Sequence, residues 1–126
     1  FSRMLALTGN TGPYLQYAYA RTRAILRKAE SPPGPILITA PAERALALEL
    51  LGFAQAVAGV EESLEPHRVA GYLHGVAQSF STFFETCHVL RAPAGVRESR
   101  LGLCDLTGRT LRQGLELLGI TTPERL

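Results

Sequence analysis

The placement of proline constrains this chain most. Prolines stand at the ends of long stretches with a helical apolar period, and none interrupts one. Gly9-Asn10-Thr11-Gly12-Pro13 forms a turn in which Thr11 and Gly12 can cap a helix and Pro13 suits its first position. From Tyr14 the pattern runs unbroken to Glu30, where Ser31-Pro32-Pro33-Gly34-Pro35 ends it.

On a helical wheel, Leu15, Ala18, Tyr19, Thr22, Leu26 and Ala29 form one apolar stripe, and Gln16, Arg23 and Arg27 point roughly opposite. Between them lies a border row of Tyr14, Tyr17, Arg21, Ala24 and Lys28. Two phenol rings and two cations thus share one edge beside the core. Aromatic faces stack on unpaired bases and cations hold phosphates, so the row suits single-stranded nucleic acid. On spacing alone, the plainer reading is that the tyrosines pack at a helix–helix seam while the cations stay solvated.

The rest of the chain repeats the same grammar. Phe1–Leu7 reads as the end of a preceding helix, and Ile36-Leu37-Ile38 as an extended linker packed on the core. Pro41-Ala42-Glu43-Arg44 starts a helix whose buried side is Leu46, Leu50, Leu51 and Phe53, with Gly52 bending or dividing it. Ala54–Leu64 continues in period, with Val57, Val60 and Leu64 in line and Glu61 and Glu62 outward. Pro66 to about Thr86 is a long helix with the stripe Val69, Tyr72, Leu73, Val76, Phe80, Phe83 and Cys87. Phe84 lies at its margin, and His67, His74, Gln78 and Glu85 are on the wet side.

After a loop over Val89–Gly95, the last helix runs from Val96 to Leu118 and buries Leu101, Leu103, Cys104, Thr107, Gly108, Leu111, Leu115 and Leu118. Arg97, Arg100, Arg109 and Arg112 decorate its outside, Gly119 is the natural C′ residue, and Pro123 follows. No hairpin signal or sustained alternation occurs. The expected architecture is all-α, a bundle of about five helices.

A chain of 126 residues makes one domain, residues 1–126, large enough to bury roughly two-thirds of its unfolded surface. It starts at Phe1 and enters its pattern abruptly, so it reads as a fragment of something longer. No apolar run reaches the ~18 residues of a membrane span and no secretory signal is visible, which points to a soluble, cytoplasmic chain. Cys87 and Cys104 are too few for a disulfide framework and read as buried thiols in a reducing compartment.

The net charge of +2 is unevenly spread. Residues 1–30 set Arg3, Arg21, Arg23, Arg27 and Lys28 against Glu30. Residues 31–65 set Arg44 against Glu43, Glu49, Glu61, Glu62 and Glu65, and the remainder has more arginines than acids. If the two ends pack together, they make a basic face backed by an acidic one.

Catalytic signatures are missing. There is no phosphate loop or dinucleotide fingerprint, and Gly9-Asn10-Thr11-Gly12 reads as a structural turn. His67, His74 and His88 make no close metal pair, Cys87 lies in an apolar stripe, and the carboxylates are scattered. The chain therefore reads as non-catalytic, with no cofactor of its own. An interaction module, whose aromatic border docks a protein helix, is the rival reading.

The opening segment, Gly9-Asn10-Thr11-Gly12-Pro13-Tyr14-Leu15-Gln16-Tyr17-Ala18-Tyr19-Ala20-Arg21, resembles the start of the C-terminal anticodon-binding (DALR) domain of arginyl-tRNA synthetases. Three later segments resemble the same domain in the same order. They are Glu65-Pro66-His67-Arg68 before Tyr72-Leu73, Phe80-Ser81-Thr82-Phe83-Phe84-Glu85-Thr86-Cys87, and the terminal helix from Arg100-Leu101-Gly102 through Leu117-Leu118-Gly119-Ile120 to Pro123-Glu124-Arg125. Phe84 falls where the family often has tyrosine, and Leu126 where it usually ends in methionine.

The resemblance implies a grip on the anticodon stem and loop of tRNA for arginine, with the middle anticodon cytosine as identity element. Tyr14, Tyr17 and Arg21 would contact the splayed loop, with Phe84 and Leu126 nearby and Lys28 further along the row. It also implies an upstream class I catalytic domain that holds ATP and magnesium and attaches arginine to the tRNA. No membrane is implied as a partner.

Overall fold

The structure, a computed structural model, describes residues 11–57 and 66–122. Within them, α1 spans Thr11–Ala29, α2 Pro41–Leu50, α3 Pro66–Thr86 and α4 Val96–Leu117. Residues 53–57 are also helical, set off from α2 by a break at Leu51-Gly52. No strand occurs among the described residues. The expectations for Phe1–Leu7, Val60, Glu61, Glu62, Leu64 and Leu126 lie outside them.

Local signals mark most helix ends, but Thr11 and Gly12, expected as caps of α1, already lie within it, and Pro13 falls inside its first turn, where its missing N–H is tolerated. Pro41 occupies the start of α2, and the Glu43 carboxylate reaches back to the N–H of its N-cap, Ala40, at 2.9 Å. At the end of α4, Gly119 takes a positive φ of 74°, the left-handed C′ conformation glycine adopts without strain. Glu30 takes the same role after α1 at φ 55°, although it carries a side chain. The carbonyl of Ala29 at that end accepts a hydrogen bond from Arg97 Nη2 at 2.7 Å, so a cation sits at the negative pole of α1.

The helices enclose one core. Leu15 and Tyr19 of α1, Leu46 of α2, Leu73, Phe80 and Phe83 of α3, and Leu101, Leu111 and Leu115 of α4 are fully buried in it. Each such side chain contributes about 1.5–3 kcal/mol by leaving water. Thr22 is tolerated there because its hydroxyl bonds to the Tyr19 carbonyl at 2.6 Å. Helices α3 and α4 are the central elements, each packing on all three of the other helices. At the α3–α4 contact, a Cβ on Gly114 would run into the buried Leu73 side chain, so only hydrogen fits.

Several side chains depart from the wheel reading because of what the rest of the fold brings beside them. Arg23 does not point outward: its guanidinium turns to α4, 3.4 Å from Asp105, and lies over the Tyr19 ring. Gln16 is half-buried and bonds to Thr121. Ile25, which the stripe omitted, is in the core. Leu51 is 79% exposed, because the break before Gly52 turns it away from α2's buried side, and Phe53 is half-buried.

The linker Ile36-Leu37-Ile38 is extended, as expected, but its apolar side chains are exposed. Its backbone packs, together with part of the Ile36 side chain, which lies against Gly102 of α4. Ser99 Oγ accepts from Leu37 N at 2.8 Å and donates to Leu37 O at 3.0 Å.

The largest correction concerns Arg100, expected on the outside of α4. It reaches inward to the fully buried Glu43 at 2.5 Å, and its Nη1 donates to the His88 carbonyl at 2.7 Å. One arginine thus ties the start of α2 and the loop after α3 to α4. Glu43, counted above toward an acidic face, is on no face at all. Burial works to raise its pKa. Arg100, the N–H groups of Thr39 and Ala40 and the Thr39 hydroxyl outweigh that and hold it at about 2.

Both cysteines are buried and free. Burial pushes the Cys104 thiol up to about 12. Among the described residues, no helix is long and apolar enough to cross a membrane, and no group of His, Cys, Asp and Glu could hold a metal ion.

Candidate nucleic-acid interface

The border row of α1 faces outward beside α3. A rise of 1.5 Å per residue spreads Tyr14 to Lys28 over about 20 Å of helix edge. Helical spacing places Tyr17 and Arg21 one turn apart on this edge, and the Arg21 Nη2 donates to the Tyr17 hydroxyl at 3.3 Å.

What spacing on one helix does not reveal is the partner from α3. Arg21 contacts two rings, its Cζ 5.1 Å from the Tyr17 centroid and 5.0 Å from the Phe84 centroid. Phe84 is in turn backed by the buried Phe80, ring centroids 6.1 Å apart and planes within 27°. The result is a ring–cation–ring cluster rooted in the core. Each cation–ring contact contributes on the order of 0.5–1 kcal/mol at such a surface. No described carboxylate is within salt-bridge reach of Arg21.

The outer sides of the cluster are open: Tyr17 is 52% exposed and Phe84 38%. A guanidinium held by rings has little freedom left to lose on binding, and its free N–H edges remain available to an anion or a base edge. The arrangement can therefore stack a planar ring and hydrogen-bond it or its phosphate from one site.

The other expected residues fall elsewhere. Tyr14 is half-buried, and its ring tilts against His74 at 5.2 Å. It belongs to the α1–α3 seam, as the plainer reading had it, with part of the ring still at the surface. His74 is accordingly half-buried and not on a wet face. Lys28 is exposed near the far end of α1, where it borders a shallow cavity of about 220 Å³ beside Phe84 and the loop after α3. Leu126 is outside the described residues. His88 and Arg91, which line the same cavity, carried no recognisable signal because they sit in a loop.

Known proteins resemble this chain over nearly its whole length. Residues 15–126 match the family model described as the DALR anticodon binding domain. Among curated relatives, the arginine–tRNA ligase of Thermobifida fusca is 55% identical over all of this chain, and that of Haemophilus ducreyi 45%. The chain spans about 23% of the length of each. Among solved structures, the arginyl-tRNA synthetase of Thermus thermophilus superposes with a TM-score of 0.85 at 45% identity, covering 90% of this chain and 21% of that one. The arginyl-tRNA synthetase of Plasmodium falciparum gives 0.80 at 31% identity, covering 98% of this chain and 22% of that one. With nearly its whole length matched in sequence and fold, the chain belongs to the DALR anticodon-binding domain family of arginyl-tRNA synthetases.

Proposed function

We propose that this chain grips the anticodon loop of tRNA for arginine through the Tyr17–Arg21–Phe84 cluster. As part of a longer cytoplasmic arginine–tRNA ligase, it would hold the tRNA while an upstream domain, using ATP and magnesium, attaches arginine. The observation that carries the reading is the guanidinium of Arg21 lying against two partly exposed rings, Tyr17 and Phe84. A loop base leaves its stack and rests on Tyr17, and Arg21 bonds its edge or its phosphate. Tyr14 borders the same row, and Lys28 extends it with positive charge. Leu126 is proposed as a further contact on family resemblance alone.

The test is a titration of the chain with an arginine-type anticodon stem-loop. Tyr17→Ala should cost about 1–3 kcal/mol of binding, the value of one base–aromatic stack. Arg21→Ala should weaken binding and flatten the log affinity–log salt slope by about 0.7 if it holds a phosphate. Equal affinity for wild type and both variants would remove the cluster from the interface. Binding insensitive to salt and to loop sequence would instead be the behaviour of a protein-docking face.

A further inference from the structure

Phe84 belongs to two neighbouring features. One of its sides meets Arg21, and it also forms a wall of the cavity bordered by Lys28, Ile25, His88, Leu90 and Arg91. Two flexible cations and a histidine rim the cavity, and its walls include the buried Ile25 and the partly exposed Leu90. Its volume, about 220 Å³, is below the ~300–1,000 Å³ of sites for drug-sized molecules and suits a single ring.

A shallow, mainly apolar cavity of this volume, lined also by two cations, matches one nucleotide: the base rests against Phe84 and Leu90, and the phosphate is held by Lys28 and Arg91. We infer that this cavity is a second nucleotide subsite, taking a loop nucleotide next in the chain to the one stacked on Tyr17. The inference rests on the RNA-binding reading above, and it commits to RNA because the slot is continuous with that cluster through a shared ring. The slot is held in shape from beneath: Arg100, pinned by Glu43, bonds the backbone carbonyl of His88. Lys28 and Arg91 themselves are exposed, so changing them leaves the core intact.

The experiment combines protein variants with a stem-loop in which each loop nucleotide is replaced in turn by an abasic one. For the wild type, abasic replacement should weaken binding at two positions, each by roughly 5- to 150-fold. Tyr17→Ala should abolish the sensitivity at one position only. The double variant Lys28→Gln/Arg91→Gln should flatten the salt slope by about 0.7, one phosphate's worth on a single strand. Leu90→Asp, which places a carboxylate in the slot, should abolish sensitivity at the second abasic position and spare the first.

A single sensitive position, lost in Tyr17→Ala and unaffected by Leu90→Asp, would overturn the second subsite and leave the anticodon reading standing. So would an unchanged salt slope in the double variant. No sensitive position in any protein, with Tyr17→Ala binding as wild type, would overturn both readings. Far-ultraviolet circular dichroism melts of each variant confirm that the helices are retained.

Discussion

Replacing Glu43 by glutamine is the sharpest test of how this bundle is held. The carboxylate is fully buried and accepts four hydrogen bonds: from Arg100 Nε at 2.5 Å, Thr39 N at 2.6 Å, Ala40 N at 2.9 Å and Thr39 Oγ1 at 3.0 Å. Glutamine keeps the shape but loses the charge opposite Arg100, and its amide presents donors toward donors. Breaking a buried pair on one side costs about 3–5 kcal/mol. A second route gives a similar figure. A folded-state pKa of about 2 against the ordinary 4.5 corresponds to ~3 kcal/mol at neutral pH.

The sign follows from the direction of that shift. The folded value lies below the unfolded one, so the contribution is complete above about pH 4.5 and is lost as the pH falls toward 2. Glu98 is also held low, first by the Gly95 N–H at 2.7 Å, and is present in both proteins, so the difference between them isolates Glu43. Urea unfolding followed by circular dichroism at pH 7 and at steps down to pH 3 is the assay. Wild type should exceed Glu43→Gln by ~3 kcal/mol at pH 7, equivalent to roughly 12 °C in melting temperature. The gap should narrow as the pH falls. A difference under about 1 kcal/mol at pH 7, or one that stays constant down to pH 3, would refute the reasoning.

Three further outcomes follow from single sites. Gly114→Ala drives a methyl into Leu73 and should cost about 1–3 kcal/mol in a urea titration; an unchanged midpoint would mean that α3 and α4 separate freely. Glu30→Gly removes a side chain from a left-handed position and should stabilise by about 1 kcal/mol, read as a higher melting temperature; a lower one would show that the Glu30 side chain contributes more than its backbone costs. Cys104, buried and with its pKa pushed up to about 12, should resist iodoacetamide at pH 8 in the folded chain and react once urea is added, as followed by mass spectrometry.

The helices were legible in the sequence because their signals are local. Pro66 and the fall in periodicity after Thr86 bracket α3 at its observed bounds, and Val96 and Gly119 bracket α4. The apolar period likewise named most of the core. Tyr17 and Arg21 could be paired from spacing, since one helical turn separates them whatever surrounds them.

Phe84 entered only through family resemblance. Nothing on α1 says that a ring on α3 will close over Arg21. Arg23 and Arg100 were misplaced for the same reason: a wheel assigns a long cationic side chain to solvent, yet here each bends toward a carboxylate that another helix supplies. Helix identity depends on the order of residues within a turn or two, which the chain alone determines. The partner of a charged side chain, and the cavity between α1 and the end of α3, depend on which helices meet and at what angle, and only the packed bundle decides that.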